Sequence, residues 1–228
     1  MKKGKTLENI TQTIKLKMKI HICNDNKVFP FLYVDNWYTP EEEKLIWKEL
    51  DFYTNPITMH RAEDTTEETR GPGKYKDGTS MNKAWRIYLN QLYTQRDTSN
   101  ILRLQPLKIQ SDEIQKAISK TGANFRMYKM TNYDTIMVGY YANDDYYEAH
   151  SDNFMMTVFC WFYRKPKAYT GGDIIFTDSN INLESKHNRM VMFPGYYSHK
   201  VYPIKMKNKN PVLGSGRYSI INFYGQRR

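Results

Sequence analysis

The chain has 228 residues, room for one domain with a substantial core rather than for two full ones. Hydrophobic residues make up 40% and aromatics 14%, which excludes a disordered polymer, and the only cysteines, Cys23 and Cys160, exclude a disulfide framework. A net charge of +10 permits a polyanionic partner without requiring one, and no apolar run approaches the roughly 18 residues of a membrane span.

Residues 1–18 read as a basic arm and 19–228 as a single domain. Lysines stand in the arm without an apolar core behind them, so no leader peptide is expected and a cytoplasmic location is. Residues 28–34 are an apolar strand. Thr39-Pro40-Glu41-Glu42 then opens a helix: Thr39 caps it, Pro40 takes the first position and Glu42 closes a capping box. That helix runs to about Phe52 and turns Leu45, Ile46, Trp47, Leu50 and Tyr53 inward. Residues 54–82 are polar, with Gly71-Pro72-Gly73 and Asp77-Gly78, a long loop of the kind that forms lids. In 84–93 the side chains of Trp85, Tyr88, Leu89 and Leu92 fall at helical spacing, and 111–120 is a helix capped by Ser111 and stopped by Gly122.

From Asn124 the pattern turns to strands, at about 125–131, 135–142, 147–150, 155–163, 172–177, 190–193, 197–204 and 216–224. The fold class expected is mainly β (α+β): a jelly-roll, or double-stranded β-helix, over about 124–225 with the N-terminal helices packed on it. Cys160 lies inside an apolar strand and reads as a buried free thiol.

Two pieces of the β region carry chemistry. In His150-Ser151-Asp152 the imidazole and the carboxylate are two residues apart, so an extended backbone points both to one face. His199 on a later strand can supply a third ligand. Two histidines and a carboxylate on one face leave the opposite positions of a metal open, the arrangement of non-haem Fe(II) oxygenases. On the last strand Arg217 and Ser219 share a face, and a guanidinium grips a carboxylate through two parallel hydrogen bonds.

Residues 124–225 thus resemble the 2-oxoglutarate and Fe(II)-dependent oxygenases, most closely their prolyl-4-hydroxylase branch. The resemblance rests on His150-x-Asp152, the Gly171-Gly172 strand, Phe193, His199-x-Val201 and Arg217-Tyr218-Ser219-Ile220. It implies Fe(II) on His150, Asp152 and His199, and 2-oxoglutarate anchored through its distal carboxylate by Arg217, Ser219 and a tyrosine. Tyr140 stands where prolyl hydroxylases aim a tyrosine at the cosubstrate, with its neighbour Tyr141 as the alternative. In that branch the basic residue follows the second histidine more closely; Lys209 stands at that spacing and is the rival anchor, while Arg217 lies beyond an enlarged polar loop at 205–214.

The function implied is hydroxylation of a C–H bond, with a prolyl residue of a peptide or protein as first substrate and ascorbate as an auxiliary reductant. Two other classes stand beside it. An AlkB-like demethylase of nucleic acid suits the positive charge but carries a second arginine six residues after the first, where this chain has Phe223. A non-catalytic jelly-roll binding protein would leave the His-Asp-His set without a role.

Overall fold

Apolar runs rich in β-branched and aromatic residues pair into antiparallel sheets in the computed structural model, which describes residues 17–65 and 73–227. The N-terminal strands are β1 (Lys19–Cys23), β2 (Phe31–Asp35), β3 (His60–Arg61), β4 (Asn82–Lys83) and β5 (Trp85–Tyr88). The helices are α1 (Pro40–Tyr53), α2 (Leu89–Leu92), α3 (Asn100–Ile109) and α4 (Asp112–Thr121). Then come β6 (Tyr133–Tyr141), β7 (Tyr146–His150), β8 (Met156–Phe162), β9 (Tyr169–Gly171) and β10 (Ile174–Phe176). The last are β11 (Ile181–Leu183), β12 (Arg189–Pro194), β13 (His199–Val201), β14 (Ile204–Met206) and β15 (Arg217–Gly225).

A large sheet has the order β1-β2-β12-β8-β15-β6-β5-β3, and a smaller one the order β11-β10-β13-β7-β4. The pair β14-β9 stands apart from both. This is the expected mainly β jelly-roll with helices packed on it. Every residue of β8 and β15 is buried, because the large sheet is covered on both sides. One face, with Val158, Cys160, Phe162 and Ile220, packs on Ile46, Leu50, Leu102 and Ile118 of the helices. The other, with Phe159, Trp161, Phe193, Ile221 and Phe223, faces Ile174 and Phe176 of the small sheet. The capping box of α1 forms as read: the Thr39 hydroxyl accepts from the Glu42 amide at 3.2 Å, and Glu42 Oε2 accepts from the Thr39 amide at 2.9 Å. No helix among the described residues is long and apolar enough to cross a membrane.

Several expectations are corrected. The helix expected over 84–93 is the strand β5 followed by the short α2: pairing with β6 claims Trp85 to Tyr88 and overrides their helical spacing. The strand expected at 125–131 is the 3₁₀ helix Ala123–Met130, in which Phe125 and Tyr128, three residues apart, share a face. Helix α3 escapes the sequence reading because Pro106 stands inside it. Proline has no amide for the Leu102 carbonyl, and Arg96 donates to that oxygen instead, at 3.3 and 3.4 Å. Of the basic arm, residues 1–16 lie outside the described residues, as do 66–72 of the long 54–82 loop; β1 and β3 were not anticipated at all.

The β6–β7 turn is tied down by charge. Asp145 is 1% exposed and takes a bidentate hold from Arg61, at 2.9 and 3.1 Å, while its Oδ2 also accepts from the Ala142 amide. Arg61 also holds Glu63, at 2.6 and 2.9 Å, so removing Asp145 costs its own charge-assisted hydrogen bonds and leaves the guanidinium with one carboxylate. Asp145→Ala is therefore expected to destabilise the fold by about 1.5–3 kcal/mol, read as a lower urea midpoint with an unchanged slope. A loss under about 1 kcal/mol, the ordinary worth of a surface pair, would contradict that reading.

Candidate active site

β7 and β13 are antiparallel neighbours, and their register sets His150 directly opposite His199. The chain leaves β7 right after His150, so Asp152 stands in the turn beyond the strand, where its amide donates to the Gly195 carbonyl at 2.8 Å. The ligand atoms of His150, Asp152 and His199 all lie within 4.8 Å of one another. His150 Nε2 is 3.7 Å from Asp152 Oδ1, and His199 Nε2 is 3.8 Å from Asp152 Oδ2.

Backbone carbonyls choose the tautomers. The Glu148 oxygen lies 2.8 Å from His150 Nδ1, and the Tyr197 oxygen 2.8 Å from His199 Nδ1. A carbonyl can only accept, so each Nδ1 carries the proton and each Nε2 offers its lone pair inward. Rings fix the imidazole planes: Tyr147 stacks on His150 with centroids 3.5 Å apart, and Phe193 meets His199 edge-on at 5.1 Å. The Thr157 hydroxyl donates to Asp152 Oδ2 at 2.6 Å and orients the carboxylate.

The donor set fits a divalent iron. His199 Nε2 is buried with no hydrogen-bond partner, an arrangement that a metal bond satisfies and solvent does not. Burial, reinforced by His199, pulls the His150 imidazole down to about 4, and burial pulls His199 to about 4 as well. Both imidazoles are therefore neutral at neutral pH and can offer a lone pair to a metal. Burial raises the Asp152 carboxyl, opposed by His150 and by the Thr157 hydrogen bond.

These shifts have a sign. Unfolded imidazoles take up protons near 6.5, whereas the folded ones resist until about 4. The metal-free protein is expected to melt progressively lower as pH falls from about 6.5 to 4, because the unfolded chain binds more protons across that window. Asp152 works the other way, one carboxyl against two imidazoles. Melting curves across this range test it; a flat profile would mean that the histidines are not buried as neutral bases.

A cavity of about 610 Å³ opens on the triad. Arg217 and Ser219, at the start of β15, line it, 1% and 2% exposed. The Arg217 guanidinium lies 4.3 Å from the Tyr141 ring centre and donates through Nη1 to the Gly172 carbonyl, while its Nε is buried without a partner. Burial presses its pKa below the ordinary arginine value; Tyr141, Tyr169 and Asp173 oppose that. The Tyr169 hydroxyl is likewise buried without a partner. Unmatched donors of this kind suit a buried carboxylate. The double glycine makes the close approach here feasible: Gly171 sits at φ +72°, and a Cβ on it would lie 2.2 Å from the Pro203 carbonyl oxygen.

Tyr140 is not in this cavity. Its paired neighbour on β15 is Tyr218, on the opposite face from Arg217 and Ser219, and the two rings pack 4.8 Å apart in the helix-covered core. Its hydroxyl accepts from the amides of Gly214 and Gly216, at 2.9 and 3.2 Å. Tyr141, paired with Arg217, faces the cavity. Lys209 is exposed on the 205–214 loop, away from the cavity lining.

Comparison with solved structures puts this geometry beside known proteins. A Pseudomonas putida prolyl-4-hydroxylase superposes with a TM-score of 0.58 at 12% identity, over 90% of this chain and 97% of that one. The chain shares the fold of that prolyl-4-hydroxylase. A viral collagen prolyl hydroxylase from Paramecium Bursaria Chlorella virus-1, solved with 2OG, aligns over 85% of this chain and 94% of its own, at 12% identity and a TM-score of 0.45. No family model matches the sequence, and no curated protein does.

Around this site, sequence reasoning missed Thr157, Tyr147, Tyr169 and Arg86. Thr157 and Tyr147 flank the His-x-Asp motif, but strict alternation puts Tyr147, three residues from His150, on the opposite face, and only the irregular register between β7 and β13 brings it to the metal side. Arg86 left no signal, because its segment reads as a helix.

Proposed function

We propose that the protein is an Fe(II)- and 2-oxoglutarate-dependent dioxygenase that hydroxylates a C–H bond of a polypeptide, with peptidyl proline the first candidate. The observation that carries the reading is the convergence of two neutral imidazoles, a carboxylate and a buried arginine on one cavity. His150, Asp152 and His199 would hold the iron, and Arg217, with Ser219 and Tyr141, the distal carboxylate of 2-oxoglutarate. Iron and cosubstrate together supply the oxidising power, converting 2-oxoglutarate and oxygen to succinate and carbon dioxide as the substrate gains a hydroxyl.

The chain's own residues bind, orient and exclude water. The two Nδ1–H···O=C bonds keep both imidazoles in one tautomer, and Thr157 keeps Asp152 in one rotation. Phe159, Trp161 and Ile221 wall the cavity with apolar surface, which strengthens the charge interactions inside it. Nucleic-acid demethylation is the competing chemistry. The position that would carry its second arginine is Phe223, which lines the cavity with an apolar ring.

The test is incubation with Fe(II), ascorbate and labelled 2-oxoglutarate, offering proline-rich peptides and methylated single-stranded DNA side by side. Succinate release with a gain of one oxygen on the peptide supports the reading. Loss of a methyl from the DNA alone, or no succinate with either, overturns it.

A further inference from the structure

Arg86 is a second buried arginine of the same cavity, and strand pairing puts it there. On β5 it pairs with Gly139 of β6, which pairs in turn with Ser219 of β15. Directly paired residues share a face, so Arg86 and Ser219 stand on one floor with a residue that has no side chain between them. Two strand spacings separate their backbones by roughly 10 Å.

Arg86 is 7% exposed and lines the cavity. Its guanidinium donates to the Thr65 hydroxyl and lies 5.9 Å from the Tyr88 ring centre. Among the described residues no carboxylate stands within ion-pair distance of it. Asp152, the one carboxylate that lines the cavity among the described residues, is committed to the two imidazoles. A guanidinium withdrawn from water without an anion is costly; one that also faces a ligand cavity is built to receive one.

Its neighbours say where that anion would sit. Tyr141 and Tyr147 line the cavity with Arg86, and Tyr147 is the ring stacked on His150. Arg86 thus shares the cavity with the metal centre and stands across β6 from the Arg217 anchor. Asn82, which lines the cavity and pairs with Tyr147, keeps a buried side-chain oxygen without a donor. A cation and an orphaned acceptor lining one cavity match a group that brings a carboxylate and an N–H together.

We propose that the substrate carries a carboxylate next to its reacting residue and that Arg86 binds it, with Asn82 accepting the N–H of the residue that bears it. This rests on the hydroxylase reading above and narrows its substrate class. A carboxylate of this kind comes either from an acidic side chain or from the chain end. Both fit a reacting proline, which has no N–H of its own, followed by a residue that does.

The test uses short peptides in which proline is followed by glutamate, glutamine or lysine, each with a free or an amidated C-terminus. Their affinity is measured by tryptophan fluorescence on protein loaded with Co(II) and 2-oxoglutarate, and their turnover with Fe(II). The wild type is expected to bind the glutamate peptide or the free-acid peptides at least tenfold more tightly than the neutral amide; which of the two identifies the source. Arg86→Gln is expected to erase that preference, chiefly in KM, while its 2-oxoglutarate affinity stays within twofold. Arg86→Glu is expected to reverse the preference toward the lysine peptide, an outcome that mere loss of structure cannot produce. Succinate production and 2-oxoglutarate binding with no dependence on peptide charge would overturn the inference and leave the hydroxylase reading intact. No 2-oxoglutarate binding by the wild type would overturn both.

Discussion

Asp152→Ala is expected to abolish metal binding while leaving the metal-free protein at least as stable as the wild type. The carboxylate is the only anion among the three ligands, and it is held between two imidazoles that burial keeps neutral. Without a cation it is a buried charge whose own pKa is pushed up, so truncating it removes a cost as well as a ligand. With metal at a hundred times its dissociation constant the wild type gains about 2.7 kcal/mol, or roughly 5–10 °C in melting temperature for a chain of this size. The variant is expected to gain nothing. A full upward shift in Asp152→Ala would mean that the metal sits elsewhere.

Arg217→Gln is expected to show the second large effect, on 2-oxoglutarate rather than on metal. Each charge-assisted hydrogen bond lost costs about 1.5–3 kcal/mol, so a tenfold to hundredfold drop in affinity per bond follows. The metal-induced rise in melting temperature should survive, because the triad lies on β7, β13 and the turn after β7, not on β15. Lys209→Ala, an exposed loop position, is expected to change neither. Calorimetric titration of the three proteins with 2-oxoglutarate decides it. A loss in Lys209→Ala and none in Arg217→Gln would reassign the anchor.

The legible parts of this chain are those where one physical signal had no rival. The α1 capping box, the long apolar strands and the two-residue spacing of His150 and Asp152 each point one way. Where both faces of a strand are covered, that clarity is lost. Tyr140 and Tyr141 are chemically identical neighbours on a strand buried on both sides, so no contrast in polarity says which one turns toward the cavity. Only the register with β15, which sets Tyr141 opposite Arg217, separates them. Arg86 was hidden for a related reason: its place is decided by Gly139, far along the chain, while its local spacing spells a helix.

The grip of Tyr140 on two backbone amides has a consequence for how this chain can change. Because the amides of Gly214 and Gly216 are fastened to a hydroxyl on β6, the phase of β15 is set after the 205–214 loop, not through it. Closing a longer loop costs little extra entropy. Exposed residues 208–212 can therefore be cut short, extended or given an inserted epitope while the arginine keeps its post. The residue count between the second histidine and the arginine is then free to drift over generations, and a lineage can slip away from any fixed-spacing motif while its geometry stays put.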